Sequence, residues 1–476
     1  MRNITVILAV TSLFGFCGGA MAQQDGNELK RLQEELRKEM KELREENKQL
    51  RKEVDQLKSE LHKSVGQEER KPIGQEKKED GLLERAFQEK KPIAKKQVES
   101  LYDDGFWFIG PDDKVRVWGW TQEDFRLFDR EYPGDNTFLN RRTRVTLLGS
   151  LETYFNYMLT VALERSTDPV QFAWLEYAQL PYLKIRVGQF KEPFSLEELT
   201  SDLYLDVLER SIITSNFSPA QDIGAMVHGT IWDNRLEYAI GVFNGRGKNK
   251  EDNTDDKDIA ARIVYAPFKV SETEFLKGLY LGVSGTRGQQ EETLSATSFK
   301  TAGQTKFWTY NSSVTLSDNR TREGLDIEWL YGPASIKAEW SRSIFKNVTR
   351  VPAQEDAEFK GWYISGSYLL TGEKKIRGSK PVLPLENFDP LQDKWGAVEL
   401  VARYEQFRAD ESPLNVGIAA GTDAVDSYAA GINWILNTHI RLGLDYIHSE
   451  FDDELLIEGK NWKNEDLFLL RFQFEF

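Results

Sequence analysis

A chain of 476 residues with a formal net charge of −15 has no basic footprint for nucleic acid. Its mean hydropathy of −0.54 argues against a bundle of membrane helices but not against a β-barrel, whose strands alternate apolar and polar residues. Twelve tryptophans, 17 tyrosines and 27 phenylalanines suit the aromatic girdles of such a barrel, and equally a soluble β-rich sugar binder.

Arg2, an apolar run from Ile4 to Phe16, and Ala20-Met21-Ala22 read as the charged, apolar and cleavage regions of a signal peptide over 1–22. The run is too short to anchor in a bilayer, which takes ~20 apolar residues. Cys17, the one cysteine, falls inside the signal peptide. A lipoprotein site there is the alternative, with Phe16 standing where a small residue is expected. Cleavage after Ala22 leaves a mature chain with no disulfide and no thiolate chemistry.

A coiled coil is expected over 23–63. Leu29, Leu36, Leu43, Leu50 and Leu57 recur every seven residues, with Gln33, Met40, Asn47, Val54 and Leu61 at the other seam position. A lone helix cannot bury such a seam, so the pattern implies self-association; a solvated helix held by charge pairs is the alternative. Residues 64–100 are rich in Lys, Glu and Gln, interrupted by Pro72 and Pro92, and read as a charged linker. The acidity lies beyond it: residues 1–100 hold 21 basic and 19 acidic side chains, the remainder 41 and 58.

From 101 to 476 the period becomes that of strands. Phe468, Leu470, Phe472, Phe474 and Phe476 share one face, and Leu469, Arg471, Gln473 and Glu475 the other. Tyr157, Leu159 and Val161 oppose Thr160; Ile185 and Val187 oppose Lys184 and Arg186; Ile336 and Trp340 oppose Lys337 and Glu339. About sixteen such segments and an aromatic last strand predict an all-β fold, a transmembrane antiparallel β-barrel behind an N-terminal helical coiled coil. Asp233-Asn234 and Gly332-Pro333 are tight turns, whereas polar stretches at 245–258, 287–304, 346–358 and 372–394 read as long loops at the opposite end.

Several stretches together resemble the phosphate-selective porin O and P family. They are Arg-Val-Gly-Gln-Phe-Lys-Glu-Pro-Phe-Ser at 186–195, Glu209-Arg210-Ser211, Asp222-Ile223-Gly224, Arg-Arg-Thr-Arg-Val at 141–145, Asp258 through Phe268, Ala402-Arg403-Tyr404, Gly431 through Trp434, and the last strand. The resemblance begins near 115 and implies a 16-stranded barrel, assembled as a homotrimer, with a pore through each subunit. The family's phosphate-binding residues do not align one by one with this chain.

The expected function is an outer-membrane porin, a passive channel for small hydrophilic solutes or ions, phosphate and other anions being candidate cargoes. Its pore-lining candidates are Arg142, Arg144, Lys184, Arg186, Lys191, Glu192, Glu209, Arg210 and Arg262. The segment 190–217 is read either as a constriction loop folded inward, with Lys191, Glu192, Glu209 and Arg210 setting the field, or as a surface loop. The inward face also carries Glu164, Glu176, Asp326, Glu328, Glu339, Glu399, Glu405, Asp445 and Glu475. Against these acids the same face carries Arg142, Arg144, Lys184, Arg186, Arg262, Lys337, Arg403, Arg441 and Arg471, so the two signs are about equal, which predicts a poorly selective pore. The alternative function is a structural tether with a plugged barrel and a periplasmic coiled coil bound to cell wall or partner chains. No cofactor, metal or enzymatic activity is expected. His62, His228, His439 and His448 lack ligand spacing, and the Asp252–Asp258 run lacks the EF-hand glycine. The expected partners are outer-membrane lipid, copies of this chain and small ions.

Overall fold

The computed structural model describes residues 99–476, apart from 103, 104, 130, 253 and 296. The signal peptide, the heptads and all but the end of the linker lie outside these residues.

Sixteen antiparallel strands form one closed sheet. They are β1 (Lys114–Phe128), β2 (Thr137–Leu151), β3 (Phe155–Ala162), β4 (Val170–Leu180), β5 (Leu183–Lys191), β6 (Gln221–Ile231), β7 (Leu236–Phe243) and β8 (Asp258–Tyr265). The second eight are β9 (Leu279–Gln289), β10 (Asn319–Tyr331), β11 (Ala334–Arg350), β12 (Ala353–Leu369), β13 (Ala397–Ala409), β14 (Ala424–Ile435), β15 (Ile440–Ile457) and β16 (Lys460–Glu475). Each strand pairs with the next, and β16 closes on β1 from Leu467↔Phe128 to Glu475↔Trp120. Closure removes the open edges that a membrane would leave unsatisfied. The alternation read from sequence is the alternation of the wall. Phe468, Leu470, Phe472 and Phe474 are exposed on the outside, whereas Leu469, Arg471, Gln473 and Glu475 are buried within.

Below Gly119, where Phe476 ends the closing strand, β1 would present a bare edge. A hairpin of Glu99–Tyr102 and Phe106–Ile109 covers it, pairing Phe106↔Val117 through Ile109↔Lys114.

Two expected loops are corrected. The 346–358 stretch is not a loop, because β11 and β12 run 17 residues each and only Val351-Pro352 separates them. Its polarity belongs to a hairpin standing in water, with Arg342 bonded to Glu358 at 2.6 Å across the strands. The 372–394 stretch is a long connection but follows β12. Strand parity therefore puts it at the end of the tight turns, 232–235 and 332–333, rather than opposite them.

Two long connections at the other end also fold inward. Residues 290–318 and 410–423 contribute a three-stranded sheet (Ser298–Lys300, Lys306–Tyr310, Ala419–Gly421). Its Phe299, Phe307 and Trp308 pack with Phe345, Phe359, Phe407 and Phe451 from the inner faces of β11, β12, β13 and β15. This apolar core lies inside the barrel and fills one side of its bore.

Candidate functional site

Residues 192–220 leave β5 and cross the lumen, carrying the short helices α1 (Leu196–Leu199) and α2 (Ile212–Phe217). Wall carboxylates hold the loop by its backbone. Leu196 and Glu197 donate N–H groups to Glu339 at 2.8 and 2.6 Å, Leu208 to Asp445 at 2.7 Å, and Ile212 to Glu405 at 2.6 Å. Arg441 donates to the carbonyls of Leu203 and Leu205, and Asn433 to that of Asp206. The fit is close enough that a Cβ on Gly443 would lie 2.5 Å from Leu208 Cδ2. The segment is therefore the inward-folded loop of the two readings left open by sequence.

The loop's acids are clamped as well. Asp206 meets Lys337 and Lys375 at 2.8 Å each. Burial works against its charge, yet the two ammonium groups hold it below the ordinary carboxylate range. Lys375 belongs to 370–396, so a connection from the turn end meets the crossing loop here. Asp202 faces Arg142 at 3.0 Å, Arg144 at 2.9 Å and Arg210, and these guanidiniums keep it far below its usual range despite burial. Glu209 bridges Arg141 at 2.8 Å and Arg471 at 2.6 Å.

Beside the crossing loop, on the side of β1–β8, the lumen stays open. A cavity of about 1260 Å³ runs from Arg165, Lys248 and Lys300 at the loop end to Arg116, Lys380 and His439 at the turn end. Thirteen arginines and lysines line it, against six carboxylate side chains. Eight of the expected residues stand on this wall: Arg142, Arg144, Lys184, Arg186, Lys191, Glu209, Arg210 and Arg262. Glu192 does not. It is 3% exposed, at the start of the loop, and burial pushes its carboxyl up to about 8 against the pull of Arg322.

Sequence reasoning missed several wall residues. Arg116, Trp118 and Trp120 follow the same parity as Gln122 and Asp124, so alternation alone could have placed them inward. Arg116 lies 5.0 Å from the Trp118 ring, Arg144 5.9 Å from Trp120, and Arg186 4.3 Å from Trp174. Gly188, which pairs with Trp174 across the strands, must be glycine: its φ is +120°, and a Cβ there would sit 2.2 Å from the Ala173 carbonyl. Lys248 donates to Gln171 Oε1 at 3.0 Å. Burial, then Arg165 and Arg144, lower its amine to about 8. No cluster of three or more His, Asp or Glu side chains suited to a metal occurs among the described residues. In the Asp252–Asp258 run, Asp252 instead pairs with Lys257.

The family model for phosphate-selective porin O and P matches residues 115–476. Porin O of Pseudomonas aeruginosa is 22% identical over 400 residues, covering 76% of this chain and 88% of that protein. Among solved structures, the outer-membrane-expressed OmpT of Vibrio cholerae superposes with a TM-score of 0.50 at 12% identity, over 79% of this chain and all of that one. That likeness bears on the fold, a closed barrel of porin type. The family match spans every strand of the barrel and the loop that crosses it, and the chain accordingly belongs to the phosphate-selective porin O and P family, as an outer-membrane porin channel.

Proposed function

We propose that this porin is a passive diffusion channel that favours small anions, phosphate among them. One observation carries the reading: a protein of net charge −15 lines its passage with thirteen cationic and six carboxylate side chains. A net basic lining raises the local concentration of anions and lowers that of cations. Equal totals of inward charge, read from sequence, predict little preference. Part of the acidic share stands apart from the cavity, however. Glu339, Glu405 and Asp445 hold the crossing loop by its backbone, away from the passage, and Glu399 pairs with Lys375.

In this reading Arg142, Arg144 and Arg210 gather around Asp202 at the waist, Lys184 and Lys191 extend the basic wall, and Arg186 and Arg262 stand on it beside their partners Glu176 and Asp326. Glu209 adds little negative field, since Arg141 and Arg471 neutralise it. The tether reading requires a plugged barrel, and the cavity that reaches both ends speaks against it. The unit is a homotrimer in outer-membrane lipid, its coiled coil in the periplasm and the cell wall that coil's candidate partner. Family and fold are those of a channel rather than an enzyme, and the channel needs no cofactor.

Purified protein in planar bilayers should give stepwise conductance. In a potassium chloride gradient the reversal potential should have the sign of chloride preference. A cation-preferring reversal potential refutes the anion reading, and a barrel that never conducts refutes the channel.

A further inference from the structure

Porin lumens are polar, yet part of this passage is not. Trp118 on β1, Leu148 on β2, Met158 on β3 and Trp174 on β4 all line the cavity. Registration puts them side by side. Leu148 pairs with Met158 and Met158 with Trp174, and Trp118 lies opposite Thr146, two residues from Leu148. An apolar band therefore crosses four neighbouring strands on a wall that faces water. All four side chains are only partly buried, so the band is not roofed by a loop as the opposite wall is. Guanidinium groups flank both ends: Arg116 beside Trp118, and, over Trp174, Arg186, whose Nε and Nη2 bond Glu176 at 2.9 and 2.6 Å.

Inorganic anions gain nothing from such a band. Leaving tryptophan and methionine against water costs free energy that a wall of Ser or Thr would avoid. An anion with an apolar body uses both features, its carboxylate meeting a guanidinium while its ring lies along the band. We propose that the channel selects amphipathic organic anions, ring-bearing carboxylates in particular, through Trp118, Leu148, Met158 and Trp174. This rests on the anion-channel reading above and names the substrate class within it.

Bi-ionic potentials across planar bilayers compare benzoate with acetate, each against chloride. The inference expects benzoate to exceed acetate by roughly fivefold beyond their mobility ratio in free solution, the size of one aromatic or cation–π contact. Trp118→Ala with Trp174→Ala should return the ratio to the mobility value while chloride conductance persists. Leu148→Asn with Met158→Gln, which put a polar amide on a side chain of similar shape, should reduce it in the same direction. A wild-type channel that carries chloride but passes benzoate and acetate at their mobility ratio overturns this inference alone. A preference that survives both variant pairs overturns the assignment to the band. A reconstituted barrel that carries neither ion overturns the channel reading itself.

Discussion

The two sides of the lumen are built from the same alternating strands and do opposite work. On β1–β5 the inward side chains include Arg116, Trp118, Trp174, Lys184 and Arg186, partly exposed along the cavity, and Arg142 and Arg144, buried against Asp202. On β11–β15 they include Phe345, Phe359, Phe407 and Phe451 toward the loop end, and Glu339, Glu399, Glu405 and Asp445 nearer the crossing loop. Those phenylalanines meet a small sheet of loop residues, and the carboxylates meet N–H groups and ammonium groups. Facing inward is thus not the same as facing water. One side grips 192–220 through guanidiniums on Asp202 and Glu209 and keeps Arg116 and Lys184 on the cavity wall, while the other grips it through carboxylates.

The difference breaks first at the packed side. Trp308 is fully buried and lies edge-on to Phe359 at 5.3 Å. Trp308→Ala should cost about 3–5 kcal/mol, the usual loss for a buried aromatic, read as a lower midpoint of denaturant unfolding. Trp118→Ala, on the open side, should cost about 1 kcal/mol or less by the same measurement. Equal losses would mean that the two walls are packed alike.

Next comes the clamp between them. Asp206→Ala leaves Lys337 and Lys375 buried without their shared carboxylate, a situation that typically costs about 3–5 kcal/mol when a pair is split. Part of that cost relaxes by release of the crossing loop. Single-channel records should therefore show frequent transitions between conductance levels that the unmodified channel lacks. A quiet record at the normal level would separate loop position from this clamp.

Much of this contrast was legible in the sequence, and the missing part has a physical cause. Period two gave the wall, because each strand's faces meet different media: Phe472 lipid, Arg471 the interior. Period two says nothing of what fills that interior. Arg186 and Arg403 look alike along their strands. One stacks on Trp174 beside the passage, and the other is 4% exposed between Glu197 and Glu405. Which of them meets water depends on loops hundreds of residues away. The apolar loop residues Phe299, Phe307 and Trp308 were the available signal, since a loop standing in water has no use for them. Parity had a further unused lesson. Counting strands places 372–394 at the turn end, a fact its polar composition conceals.

The smallest effect tests whether the open side's charges truly face solution. Lys248 sits at the loop-end mouth, with burial, then Arg165 and Arg144, lowering its amine to about 8 and Glu164 and Asp168 pulling the other way. A lysine left to itself titrates near ~10.4. Below pH 8 the side chain carries its charge, and as pH rises through 8 that charge is lost while the guanidiniums keep theirs. Chloride preference should therefore fall with rising pH, by roughly 1.5-fold in permeability ratio for one charge at a wet mouth. The midpoint should lie near 8, and Lys248→Gln should remove the step by sitting throughout at the high-pH value. Lys375 offers the control from the packed side. It is fastened to Asp206 and Glu399, so its replacement should alter stability before it alters this titration. A step that stays in Lys248→Gln, or one centred near 10, would show that the mouth lysine is not part of the field that solutes meet.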